Sequence, residues 1–195
     1  MNTSQLSRLS DLLLSTEQAS ELEIRGATAA AVLVPLYEDK GTFHLVLTER
    51  NKDLPRHPGE ISFPGGRHEP GDESLLFTAL REAQEEIGLP PESVQIVGAL
   101  PPTSTIASGY AIYSFVGLIT ANPGWLPSTS EVAAVIELPL SAVASGYGRR
   151  RLSRRGAQIR ADTYVVNGHV IWGATARIVS DLLDRLDRVA DGLTS

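Results

Sequence analysis

Apolar and polar positions alternate along the chain in blocks that predict a mixed α/β order. Leu6, Leu9, Leu13 and Leu14 recur at helical spacing, so residues 4–17 read as an amphipathic helix within an N-terminal segment, 1–18, that packs on the domain. Residues 27–37 are almost continuously apolar and residues 44–50 form a second such run. The interval Glu38-Asp39-Lys40-Gly41 suits a turn between two strands. Residues 51–71 carry too much Pro and Gly for one element and read as a long loop with a short strand at 61–63, and loops of that length are often functional.

Residues 72–88 carry a full set of helix signals. Asp72 is the expected N-cap, Glu73 falls in the first turn, Gly88 stops the helix and Pro90-Pro91 follow. Strand-like runs come next at 94–100, 110–120 and 132–138, then a helical turn near 141–145. Residues 164–166 and 169–171 flank Asn167-Gly168 and read as a hairpin, and a last helix spans about 172–189.

Composition narrows the function classes. A chain of 195 residues fits a single domain, 1–195, and 42% hydrophobic with 21% charged residues supplies a core. With 17 basic against 23 acidic residues the net charge is -6, which speaks against broad binding of nucleic acid or an anionic membrane. A compact anionic substrate then needs a metal or a local basic patch. The absence of cysteine excludes disulfides, thiolate metal sites and cysteine nucleophiles. No apolar stretch is long enough to span a bilayer and no signal-peptide pattern opens the chain, so a cytoplasmic location is expected.

The candidate chemistry lies in and before the 72–88 helix. At about 100° per residue, Glu82, Glu85 and Glu86 share one arc, while Leu76, Leu80, Ala83 and Ile87 gather on the other side. Carboxylates crowded on one face repel, and a hard divalent cation such as Mg²⁺ or Mn²⁺ is the natural compensation, because it takes oxygen ligands and bridges protein carboxylates to phosphates. Arg81, one turn before Glu85, is placed to neutralise and orient it. Gly65 and Gly66 let the backbone approach closely, so that a carbonyl reaches the metal. The alternative is a solvated acidic face with an Arg81 salt bridge.

The run Arg81-Glu82-Ala83-Gln84-Glu85-Glu86-Ile87-Gly88-Leu89 closes a segment, 65–89, that resembles the box of the Nudix hydrolase family. In its first half the spacing differs by one residue: Glu73 lies at the family distance from Arg81, and Asp72 at the family distance from Gly66. That extra residue, the run Val46-Leu47-Thr48-Glu49-Arg50, the loop Arg56-His57-Pro58-Gly59 and Phe63-Pro64-Gly65-Gly66 resemble the coenzyme A pyrophosphatase branch, as does Ile171-Trp172-Gly173-Ala174-Thr175-Ala176 downstream. Pro55 stands where the branch often has arginine, and Asn51 where it has a small residue. The similarity spans roughly residues 28–186.

The resemblance implies an α/β/α sandwich with a mixed central β-sheet and the box as a loop-helix-loop against it. It also implies hydrolysis of the diphosphate of coenzyme A or an acyl derivative, with an ADP-ribose or nucleotide-sugar pyrophosphatase as the alternative and a non-catalytic nucleotide sensor as a further one. Glu82 and Glu86 then lead the metal ligands with the Gly66 carbonyl, and Glu85 is a third ligand or orients water. Glu131, before a strand, is the candidate general base or else a surface residue. Arg50, Arg56, His57 and Gly65 are expected to meet the substrate. The basic run 149–155 is either a counter-charge for the 3′-phosphate of coenzyme A or a solvated loop, and Tyr110 and Tyr113 either stack on adenine or pack. The expected partner is a small nucleotide; a homodimer is compatible.

Overall fold

Lys40 and Gly41 both adopt positive φ, 49° and 81°, and so form the two-residue turn that suits the twist of a hairpin. They join β1 (Thr28–Asp39) to β2 (Thr42–Arg50), and the strands extend further into the turn than the apolar runs predict. The computed structural model describes residues 3–24, 27–55, 57–105, 109–120, 124–154 and 157–191. Its order is α1 (Thr3–Leu12), α2 (Thr16–Glu21), β1, β2, β3 (Ile61–Ser62), β4 (Gly65–Arg67), α3 (Leu75–Ile87), β5 (Gln95–Ser104), β6 (Tyr110–Leu118), β7 (Val132–Pro139), α4 (Leu140–Ser145), β8 (Tyr147–Arg154), β9 (Ala157–Val166), β10 (His169–Trp172) and α5 (Gly173–Asp191).

The main sheet is mixed, as expected: β1 runs parallel to β6 and antiparallel to β2. The two hairpin strands pair only near their turn. Beyond it, β3 pairs with β2 at Thr48 and Glu49, while β4 pairs with β1 at residues 30–32, so the segment 61–67 is wedged between diverging strands. The wedge carries Gly65 and Gly66 into the sheet. A side chain at Gly65 would overlap the Ala31 carbonyl and Val32, so only glycine permits this approach.

One apolar cluster, with Leu36, Leu45, Leu47, Val116, Ile171 and Leu182, fills the face under α1, α4, α5 and the small sheet. A second, with Leu33, Val46, Ala79, Ala83, Ile87 and Phe115, lies under α3 and α2. These two cores make the layered sandwich. Among the described residues no helix is long and apolar enough to cross a membrane.

Two expectations are corrected. The single helix over 4–17 is two helices, because Leu14 leaves the helical path to exchange backbone hydrogen bonds with Ala99 of β5, at 3.0 and 2.9 Å, and Ser15 caps α2 in a capping box with Gln18. The chain thus passes over the β5 edge, with Leu9 and Leu13 in one core and Ala19 in the other. The basic run is not a loop either: residues 147–154 form strand β8 of a three-stranded sheet ordered β10-β9-β8. Asn167 and Gly168, with φ of 52° and 85°, make the expected β9–β10 turn.

Candidate active site

Helix α3 begins two residues later than its sequence suggests. Ser74, not Asp72, is the N-cap, its hydroxyl accepting from the Phe77 amide at 3.0 Å, and Glu73 lies exposed before the cap. Asp72 is drawn elsewhere by a stronger partner. Its carboxylate, only 4% exposed, accepts from Arg81 Nε at 2.9 Å and Nη2 at 3.1 Å, from the Thr78 hydroxyl at 2.8 Å and from the Glu69 amide at 3.0 Å. The Arg81 hydrogen bonds hold the Asp72 carboxyl well below the usual carboxylate range. The extra residue before the helix therefore leaves Asp72, rather than Glu73, as the partner of the box arginine. The helix ends as predicted, with Gly88 left-handed at φ 70°.

Arg81 serves three carboxylates. Besides Asp72 it reaches Glu82 Oε1 at 3.0 Å and Glu85 Oε2 at 3.1 Å through Nη1, so the contact expected with Glu85 is joined by one with Glu82. The three glutamates do not share one environment. Glu85 is 60% exposed, Glu82 is largely covered, and Glu86 lies on the core side of the helix in line with Ala79 and Ala83. Burial pushes the Glu86 carboxyl up to about 7, opposed by the Gly65 N–H that donates to its Oε2 at 3.1 Å. Glu82 is also raised by burial, opposed by Arg81. A methyl group at Gly66 would overlap the Glu82 carboxylate, so the second glycine of the wedge leaves space that this carboxylate fills.

Two further segments converge here. Arg50, at the end of β2, places Nη1 3.9 Å from Glu86 Oε1, and its buried Nε has no hydrogen-bond partner among the described residues. Glu131 is delivered by a stitched loop: Ser128 N donates to Glu86 O at 2.9 Å, Asn51 N to Glu131 O at 2.8 Å, and Asn51 Nδ2 to Thr129 O at 3.0 Å. Its charge adds to the upward push on both Glu82 and Glu86, which places it in their field. The departure at Asn51 thus has a structural use, a side-chain tie that no motif signals. His57, at φ 56°, sets Nδ1 2.8 Å from Glu60 Oε2. Arg56 lies outside the described residues. Tyr113 is buried, its hydroxyl donating to Leu22 O at 2.9 Å, and so packs rather than stacks on a ligand.

Among the described residues no three His, Asp or Glu side chains converge closely enough to hold a metal ion. The donor chemistry nevertheless fits a hard divalent cation. Glu82 and Glu86, one helical turn apart, are a largely covered and a buried carboxylate whose charged forms burial disfavours, and both offer oxygen ligands. Glu85 is turned to Arg81 in this arrangement.

The NUDIX domain family profile matches residues 27–154, which take in the sheet wedge, α3 and the Glu131 loop. A curated relative from Citrobacter koseri, uncharacterized Nudix hydrolase NudL, is 39% identical over 178 residues, covering 88% of this chain and 92% of its own. The protein of the same description from Photorhabdus laumondii is 40% identical over 160 residues, covering 80% and 84%. The crystal structure of a MutT protein from Methanosarcina mazei Go1 superposes with a TM-score of 0.53 at 17% identity, covering 85% of this chain and 97% of that one, a likeness of fold. The profile and the relatives together make the chain a member of the Nudix hydrolase family.

Proposed function

We propose that this Nudix hydrolase cleaves the diphosphate of coenzyme A or its acyl derivatives, releasing 4′-phosphopantetheine or its acyl form and 3′,5′-ADP. The observation that carries the reading is Arg50. It belongs to the Leu-Thr-x-Arg run, and its buried, unpartnered Nε–H beside Glu86 offers a charge-assisted donor to a phosphate oxygen. The Phe63-Pro64-Gly65-Gly66 run meets it at the same carboxylate, through Gly65 N.

Water supplies the oxygen that forms the new bond to phosphorus, the P–O bond of the bridging oxygen breaks, and the net proton passes to solvent. Glu82, Glu86 and the Gly66 carbonyl are the proposed holders of Mg²⁺ or Mn²⁺, which when bound neutralises the diphosphate and lowers the barrier to attack. Glu131 takes the proton from water, and Glu85 is a third ligand or orients that water. Arg81 is a positioning residue, holding Glu82 and Glu85 from Asp72. Arg50, Arg56, His57 and Gly65 bind the substrate, His57 from a conformation set by Glu60.

Purified protein with Mg²⁺ or Mn²⁺ is offered coenzyme A, acetyl-coenzyme A, ADP-ribose, dinucleotides and deoxynucleoside triphosphates, with products resolved by mass and Glu86→Gln as control. Release of 4′-phosphopantetheine and 3′,5′-ADP, lost in the variant, is the expected result. Turnover of ADP-ribose alone overturns the coenzyme A assignment, and binding without turnover overturns catalysis.

A further inference from the structure

Glu49 and Arg50 are consecutive on β2, at the point where its register with β7 shifts, and they serve different neighbours. Arg50 faces the carboxylates of α3. Glu49 instead borders a cleft of about 380 Å³ between the end of β2 and the small sheet, within the usual size of a small-molecule pocket. Its apolar lining residues are Ile61, Leu152, Val170 and Trp172, and its polar ones are Glu49, Glu60, Ser153 and His169. Glu60 O accepts from Arg50 N at 3.0 Å, so the cleft and the catalytic carboxylates flank the same strand end.

The lining discriminates among ligands. It contains no arginine or lysine, and Glu49 and Glu60 outnumber the single His169, so the lining offers a phosphate group little counter-charge. An indole and three aliphatic side chains suit a flat aromatic ring, and carboxylate acceptors suit a ring bearing an exocyclic amine. Cationic charge begins just outside. Arg150 lies two residues before Leu152 on β8 and therefore on the same face; it is exposed and makes no ion pair among the described residues. Its neighbour Arg149 faces Asp162, and Arg151 faces Arg160.

We propose that this cleft holds the adenine of the substrate and that Arg150 at its rim recognises a phosphate on the ribose 3′-oxygen, selecting 3′-phosphorylated adenosine nucleotides. The inference deepens the coenzyme A reading, and its test does not require turnover. The chain has two tryptophans, so Trp125→Phe leaves Trp172 as the sole indole reporter. Adenosine 3′,5′-bisphosphate, AMP and pantetheine are titrated separately into this variant without metal.

The expected result is saturable quenching by both nucleotides, with the bisphosphate bound at least about tenfold tighter than AMP. Arg150→Ala, at an exposed position, abolishes that preference while leaving AMP binding unchanged, and Val170→Glu, also exposed, weakens both nucleotides. Equal binding of the bisphosphate and AMP overturns the role of Arg150, and quenching by pantetheine but not by nucleotides overturns the adenine assignment. Nucleotide binding as expected in a protein that does not cleave coenzyme A refutes the proposed reaction and leaves the cleft standing.

Discussion

Asp72 and Arg81 are joined by two hydrogen bonds, Nε to Oδ1 at 2.9 Å and Nη2 to Oδ2 at 3.1 Å, and through Arg81 the loop before α3 is tied to both Glu82 and Glu85. Removing one partner of a covered ion pair costs stability, and here the cost is tempered because Arg81 keeps Glu82 and Glu85. Asp72→Asn is expected to cost on the order of 2 kcal/mol of stability, whereas Glu73→Gln leaves it nearly unchanged. The Asp72 carboxyl is depressed in the fold, so its contribution is fully present above the ordinary carboxylate range and is lost as pH falls through its lowered value. Thermal melts of wild type and Asp72→Asn should therefore converge as the solution is acidified. Parallel curves down to the lowest accessible pH would rule this out.

Glu86 gives the opposite slope in the metal-free protein. Its carboxyl is raised from 4.5 to about 7, so folding favours the protonated form, and stability from this group is full below pH 4.5 and declines as pH rises towards 7. Glu86→Gln should flatten that decline and remain folded at neutral pH. It should also reduce metal-dependent hydrolysis by at least about a hundredfold. Chelation of the metal should reproduce the loss of activity in wild type, and a melting series with and without Mg²⁺ reads the stability effect directly.

The two glycines of the wedge predict different failures. Gly65→Ala drives a methyl group into the β1 backbone, so the sheet itself must shift and the melting temperature should fall. Gly66→Ala meets the Glu82 carboxylate instead, a side chain that can turn away. It should keep most of the stability and lose activity, with weakened metal dependence in a Mg²⁺ titration. Equal melting temperatures for the two variants would contradict the wedge.

Glu131→Gln should lower kcat by about 10² to 10⁴ with little change in melting temperature, the range expected on loss of a general base. Asn51→Ala removes the 3.0 Å tie to Thr129 but no reacting group. Its loss should be smaller, and steady-state kcat values for the two variants measured side by side read the difference directly.

The sequence carried the helix of the site and its glycine stop, because helical periodicity and a left-handed glycine are local signals. The Asn-Gly hairpin was legible for the same reason. What escaped depends on competition between distant groups. Asp72 looks like a cap until Arg81, nine residues on, draws its carboxylate away and Ser74 takes the role. Helical angles put Glu86 with Glu85, but the sheet packed against α3 covers Glu86 and leaves Glu85 in water. The arginines of β8 read as loop because their strand character comes from pairing with β9, not from alternation of apolar residues. Asn51 carried no signal, since its partner lies 78 positions away.

The crossing of Leu14 over β5 has a bearing on solubility. β5 closes one end of the main sheet, and an outermost strand invites pairing with a strand from another molecule. The bridge between Leu14 and Ala99 occupies backbone groups that such an intruder would need, and α1 and α2 flank it on the two faces like the jaws of a clip. The N-terminal segment thus acts as a built-in guard against intermolecular sheet growth. A chain cut after Ser15 would retain every residue assigned to the chemistry and yet be prone to precipitate.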